Sequence, residues 1–408
     1  MSDLESILSL WRELEAAGAD YVLATLVAVE GSSYRKPGAH MLLAPDGRRA
    51  GTVSGGCLEA EVTKRAWWLT GAGPVVERYS TADDDGERPY GSGCGGVVYI
   101  LLERRATAAP LLAALGMAFE QRIALGVATV VEGPGIGGRA FAGLPDSSQA
   151  AGSNGRRQKT YADRFTPVLR GLSERSLAQR AALEEKVPMD GGLTRTWASF
   201  LPARSALWIF GAGDDAIPLH RMAREMGWYV SVADGRSHLA TRQRFPAADE
   251  VHVLPMAERA GIAAGMAAMG SIRAWDAAAV MAHSFEQDSR VLAALMALDE
   301  PPAYIGVLGP QRRTRELLNE AARLLGVPES NACEWMPRLH APMGLDLGGE
   351  APAAVALSVL AEIQRTLAAA TGLPLRQVRA DGLTPSNVLP APQETLPATL
   401  GGPSTPDR

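Results

Sequence analysis

The sequence predicts an α/β protein in which an N-terminal mixed α/β domain is followed by a Rossmann-like domain with a parallel sheet. Three observations carry that expectation. First, Leu207 to Arg236, LWIFGAGDDAIPLHRMAREMGWYVSVADGR, reads as apolar strand, glycine turn, helix, second strand and acid. That order opens a dinucleotide-binding βαβ unit: Gly211 allows the tight turn, Gly213 leaves room for a phosphate, and Asp234 can accept ribose hydroxyls. Second, short apolar runs at Val251–Leu254, Ala277–Met281 and Tyr304–Leu308 continue the strand series beyond Asp234. Third, 408 residues with 47% hydrophobic side chains exceed what one core usually organises. We expect one domain over 1–200, a Rossmann-like domain over 203–370 and a loosely ordered, Pro-, Thr- and Ser-rich tail over 380–408.

Taken in order, residues 4–17 repeat Leu4, Ile7, Leu8, Trp11 and Leu14 at helical spacing. Tyr21–Glu30 is a buried strand, and Gly31-Ser-Ser-Tyr-Arg-Lys-Pro-Gly38 follows it. With Ser33, Arg35 and a second cation, that loop suits an anion, and it also suits a solvated turn. His40–Ala44 and Ala50–Val53 form a hairpin about Asp46-Gly47. Ser54-Gly-Gly-Cys-Leu-Glu59 then leads into a helix expected to end near Gly71. Cys57, behind Gly55 and Gly56, would sit near the helix N-terminus, where orphan N–H groups lower a thiol pKa; the competing reading is a small buried cysteine. Gly91-Ser-Gly-Cys-Gly-Gly96 precedes a strand at Val97–Leu102, so Cys94 and Gly95 can line a backbone nest facing the same ligand. Two such cysteines fall short of a zinc set.

Helices are expected over 108–120 and 173–186, and strands over 123–132 and 193–200. The run IALGVATVVE echoes VLATLVAVE, which suggests either two similar strands in one sheet or only a shared β propensity. Residues 133–165 read as turns and a surface excursion. Beyond Asp234, Arg236 and His238 sit at the carboxyl edge of the expected sheet. His283 ends the Ala277–Met281 strand, and Arg312 and Arg313 open a helix over 311–325. Pro352–Ala368 is another helix.

A net charge of −5 without a long basic run argues against nucleic acid. The acidic, amphipathic start is unlike a signal peptide, no apolar segment reaches membrane-spanning length, and three cysteines cannot build a disulfide framework. A cytoplasmic, self-associating protein is the expectation.

Four blocks together resemble the XdhC/CoxI family, accessory proteins of molybdenum hydroxylases such as xanthine dehydrogenase and carbon monoxide dehydrogenase. They are Gly31–Gly38 with Gly51-Thr-Val-Ser-Gly-Gly-Cys-Leu-Glu59; Gly91–Gly96; the stretch 207–246; and Met281-Ala-His-Ser-Phe-Glu-Gln-Asp288 through Tyr304–Gly309 to His340–Gly348. The match spans roughly 5–105 and 200–365, leaving 115–200 unassigned. The resemblance implies a chaperone that binds a molybdopterin-type molybdenum cofactor, protects it while a cysteine desulfurase supplies sulfur, and delivers it to an apo molybdenum hydroxylase. It implies Cys57 as contact to the molybdenum. The alternative, from the Rossmann signature alone, is an oxidoreductase using NAD(P) or another nucleotide.

Overall fold

The computed structural model describes residues 2–56, 58–80, 96–145, 161–189, 192–255, 266 and 270–378. Three sheets organise them. The chain begins with helix α1 (Asp3–Ala16) and builds a five-stranded antiparallel sheet from β1 (Val22–Glu30), β2 (His40–Leu43), β3 (Arg49–Gly51), β4 (Val75–Ser80) and β5 (Val97–Arg104). Helix α2 (Glu59–Leu69) lies between β3 and β4, and the strand order is β3-β2-β1-β5-β4. Central β1 is buried on both faces, which is why it reads as a continuous apolar run. Val22, Ala24 and Leu26 join Val62 and Ala66 of α2, whereas Leu23 joins α1 and helix α3 (Arg105–Gln121).

A second antiparallel sheet follows, made of β6 (Leu125–Glu132), β7 (Arg139–Ala142), β8 (Leu183–Met189) and β9 (Gly192–Leu201), with helix α4 (Tyr161–Gln179) packed on it. Val27 and Leu101 of the first sheet meet Val131 and Trp197 of the second in one buried cluster. The echoing strands are therefore β1 and β6 in separate, facing sheets, each central in its own, and not neighbours in one sheet. Two further expectations are corrected here. The helix expected over 173–186 ends at Gln179, where Arg180 adopts a left-handed φ of 52°, and the chain continues as β8. Residues 139–142, within the expected excursion, are a strand paired to β6.

The third sheet comprises β10 (Ala206–Phe210), β11 (Tyr229–Asp234), β12 (Glu250–Val253), β13 (Ala277–Val280) and β14 (Tyr304–Val307). All its pairings are parallel, in the order β12-β11-β10-β13-β14. Renumbered from its first strand this is 3-2-1-4-5, the Rossmann order with its switch point between β10 and β13. Helices α5 (Ala216–Glu225), α6 (Phe285–Met296), α7 (Gln311–Leu325), α8 (Ser330–Trp335) and α9 (Pro352–Leu367) supply both outer layers. Trp208, Phe210, Val280 and Val307 face Leu292 and Leu317, while Leu207, Ile209, Val232 and Tyr304 face Leu219 and Val359. Among the described residues no helix is long and apolar enough to cross a membrane.

The parallel sheet is tied to the antiparallel ones by charge. Arg122, at the left-handed end of α3, pairs with fully buried Asp276, which also accepts from Trp208 Nε1 at 3.0 Å and Arg273 N at 3.0 Å. Arg224 reaches Glu5 of α1 at 2.5 Å.

Candidate functional site

Two glycine turns, one on each half of the chain, carry most of the candidate residues. In the N-terminal half, β5 starts beside the loop that leaves β1. A Cβ on Gly96 would fall 2.0 Å from the Ser32 carbonyl oxygen, so the two backbones touch and a side chain there is excluded. The Tyr34 ring lies 3.4 Å from the Cβ position of Gly55. Loop 31–38, turn 54–56 and the entry to β5 thus converge at one end of the first sheet.

The turn is held from inside. Fully buried Glu59 accepts from Ser54 N at 2.8 Å and Val53 N at 3.2 Å, and the Ser54 hydroxyl donates to its other oxygen at 2.5 Å. The same hydroxyl oxygen accepts from Gly56 N and Leu58 N, both at 3.2 Å. Burial pushes the Glu59 carboxyl up, but the Ser54 hydroxyl and the backbone N–H groups outweigh it and hold its pKa below the usual range. Helix α2 begins only at Glu59, and the N–H groups flanking position 57 are taken by Ser54. Cys57 thus stands two positions before the first residue of the helix expected to follow it. What stays open among the described residues is the outer face of Gly56: at φ 111° its Cβ position has none of them within 4 Å beyond its chain neighbours. Cys57, Cys94 and Gly95 lie outside the described residues. Ser33 sits in the converging loop, whereas Arg35 turns the other way and pairs with Asp3 of α1 at 2.5 Å.

In the C-terminal half the candidates gather at the carboxyl edge of the parallel sheet, at the switch point. A Cβ on Gly211 would lie 2.5 Å from the Met281 carbonyl carbon and oxygen, so this glycine lets the ends of β10 and β13 approach. Asp234 is fully buried and occupied. It accepts from Ala212 N at 2.7 Å and Arg236 N at 2.8 Å, and the Arg236 guanidinium reaches both oxygens at 2.9 and 2.8 Å. Burial raises this carboxyl, and Arg236 with the two N–H groups brings it below its ordinary value. The carboxylate expected to face a ribose instead fixes the glycine turn. Arg236 also donates to Ala282 O at 2.9 Å, bridging the ends of β11 and β13.

His283, in a left-handed conformation at φ 57°, is half-exposed, with Nε2 3.3 Å from Asp215 Oδ2. The Cβ position of Gly213 is an ordinary 3.8 Å from its ring. Asp215 and neighbouring Asp214, paired with Arg244 at 2.7 Å, crown the turn where a pyrophosphate would sit. Two carboxylates at a helix N-terminus already occupy the favourable field and oppose a further anion.

Ser54, Glu59 and Gln287 belong to these turns, and the sequence motifs that contain them did not single out a role for any of the three. Gln287 accepts from Gly235 N at 3.0 Å, and its Nε2 is buried without a partner among the described residues. Asp288 accepts from Ala282 N at 3.1 Å and Arg313 Nη2 at 2.7 Å, and burial pushes its carboxyl up. Polar residues at fixed offsets around glycine turns were the available signal for all of them. Among the described residues no group of three or more His, Cys, Asp or Glu is placed to hold a metal ion.

Comparison with known proteins bears on both halves. A family model described as the XdhC Rossmann domain matches residues 207–363, and one described as the XdhC and CoxI family matches residues 14–80. A protein of Bacillus subtilis named as a probable xanthine dehydrogenase subunit is 28% identical over 347 residues, spanning 85% of this chain and 92% of that protein. The molybdenum cofactor insertion chaperone PaoD of Escherichia coli is 36% identical over 134 residues, 31% of this chain and 39% of its own length. The crystal structure of a xanthine dehydrogenase from Bacillus halodurans superposes with a TM-score of 0.61 at 26% identity, covering 90% of this chain and 96% of that one.

Proposed function

From the premise that the chain belongs to the XdhC and CoxI family, we propose that it binds a molybdenum cofactor as cargo and hands it to an apo molybdenum hydroxylase. In this reading the chain is a maturation factor rather than a turnover enzyme. The name of the PaoD relative supports it, and so does one feature of the fold. The loop 31–38, the glycine pair before Cys57 and the end of the Gly91–Gly96 segment meet at one end of the first sheet, with Gly56 bordered by open space among the described residues.

A thiolate at Cys57 is a soft donor suited to molybdenum. Gly55 and Gly56 leave backbone within reach of a bulky ligand, Ser33 offers a hydroxyl, and Cys94 with Gly95 would close the nest from the other side. Ser54 and Glu59 pin the turn from beneath through hydrogen bonds to its backbone N–H groups. At the Rossmann edge, Gly211, Gly213, Asp234, Arg236 and His283 form a preset scaffold whose carboxylates are already engaged, so the cargo is assigned to the first turn and no nucleotide is assigned to this edge. Sulfuration by a cysteine desulfurase would take place while the cargo is held. The proposal includes action in the cytoplasm, self-association, and a division into units over 1–200 and 203–370.

Purification from cells that make the cofactor tests this directly. The protein should carry molybdenum and pterin in about equal amounts. Repeated absence of both, while a known carrier prepared in parallel is loaded, would end the proposal.

A further inference from the structure

A separate cavity lies elsewhere. A cleft of about 620 Å³ opens between the first and second sheets, bounded by loop 35–40, helices α1 and α3, and residues 368–370 beyond α9. Its volume lies within the range of small-molecule sites. Facing sheets normally stand about 10 Å apart with interlocked side chains. Here Thr25, Thr129 and Ser199 contribute short side chains, and a Cβ on Gly38 would lie 3.8 Å from the Trp197 ring, so the sheets leave a slot between them.

The inner wall is apolar: Ile7, Leu111, Leu115, Val127 and Trp197. The rim is cationic, with Arg35, Lys36 and Arg180. Asp3 is the one carboxylate among the described residues of this lining, and it is taken by Arg35. His40 adds no charge, because burial foremost, then Arg139, depresses its pKa to about 4. Two polar atoms of lining residues, Arg35 Nε and Thr52 Oγ1, are buried without a hydrogen-bond partner among the described residues. Buried polar groups are nearly always satisfied, so these two leave hydrogen-bonding capacity on the cleft lining for a bound water, ion or ligand.

We propose that this cleft binds a planar heteroaromatic anion, with its ring against Trp197 and Leu115 and its phosphate or carboxylate between Lys36 and Arg180. The site needs neither Cys57 nor a metal, so it stands or falls apart from cargo binding at the glycine turn. A ring of this chemistry can come from a free nucleotide or from a pterin, and two probes separate these sources.

Metal-free full-length protein is titrated calorimetrically with guanosine 5′-monophosphate and with pterin-6-carboxylate. Saturable one-site binding of either probe is expected, and the tighter one identifies the source. Lys36→Gln and Arg180→Asn, the latter keeping a residue tolerant of left-handed φ, should each weaken binding about tenfold, as expected for a lost charge-assisted hydrogen bond. The double variant should lose more than either single variant, with the departure from a simple product reading their coupling through the shared anion. Lys186→Gln, whose residue lies on β8 away from the cleft lining, should change nothing. As a readout independent of variants, bound probe should protect Lys36 from acetylation in the unaltered chain. Saturable binding of neither probe would overturn the proposal, as would affinity unchanged in the double variant or Lys36 acetylated equally with and without probe.

Discussion

The two glycine turns resemble each other in sequence and differ in what their glycines do. Each is pinned from inside by a buried carboxylate: Glu59 gathers Val53 N, Ser54 N and the Ser54 hydroxyl, and Asp234 gathers Ala212 N and Arg236. At the Rossmann turn, however, Gly211 abuts the Met281 backbone and Arg236 fills the remaining valence of Asp234. At the first turn the pinning is complete beneath the chain, yet Gly56 has no described residue beyond its chain neighbours within 4 Å of its Cβ position. A glycine signature therefore does not mean one thing: Gly211 serves close approach of the protein's own backbone, and Gly56 leaves its outer face uncovered among the described residues.

The comparison breaks most visibly at the glycines themselves. Gly211→Ala must displace backbone as well as adopt φ 134°, and should destabilise by about 3–5 kcal/mol. Gly56→Ala carries only the conformational strain, about 1–2 kcal/mol. Urea denaturation of the two variants should separate them, and equal losses would remove the distinction between a filled and an open turn.

The carboxylates come next. Asp234→Ala leaves Arg236 and Ala212 N without their acceptor and should cost about 2–4 kcal/mol at pH 7. Glu59→Gln keeps the shape and loses the charge-assisted acceptance, about 1–2 kcal/mol by the same reasoning. Both carboxyls are depressed in the folded state. Their stabilisation is thus complete above the unfolded values of about 4.3 for Glu and 3.9 for Asp, and is lost as pH falls through the folded ones. Stability curves of Glu59→Gln against pH should consequently converge on the parent's in acid; a constant gap down to the acid transition would show that the charge contributes nothing. The smallest effect is expected at His283, half-exposed beside Asp215. His283→Asn tolerates the left-handed backbone and should stay within about 0.5 kcal/mol of the parent. A loss above about 2 kcal/mol would mean that this edge is held by the His283–Asp215 contact.

The parallel sheet was legible because its strands are short and buried on both faces, so Leu207–Phe210, Ala277–Val280 and Tyr304–Val307 stand out as uniform apolar runs. The second sheet was harder to read. Strand β8, Leu183–Met189, alternates half-buried and exposed positions and carries Glu184, Glu185 and Lys186, residues that favour helix by propensity. Among the described residues it pairs with β9 alone and is an edge strand, a position where charged side chains are common. Strand β7 spans only four residues in a glycine-rich surround. At the site, the glycines and Asp234 were identifiable by position, whereas their partners were not. Nothing in the spacing says that Asp234 would be saturated by Arg236, or that Arg35 would leave the turn to pair with Asp3 on α1. Those outcomes depend on which elements meet in space.

The central claim is that the first turn, through Cys57, holds the molybdenum centre. It is tested most directly by the ratio of molybdenum to protein after gel filtration of Cys57→Ser and Cys94→Ser, each purified from cofactor-producing cells and checked for folding by circular dichroism. We expect Cys57→Ser to fold normally and carry no molybdenum, and Cys94→Ser to carry a reduced but measurable amount. A folded Cys57→Ser protein retaining the full complement of molybdenum would contradict the account.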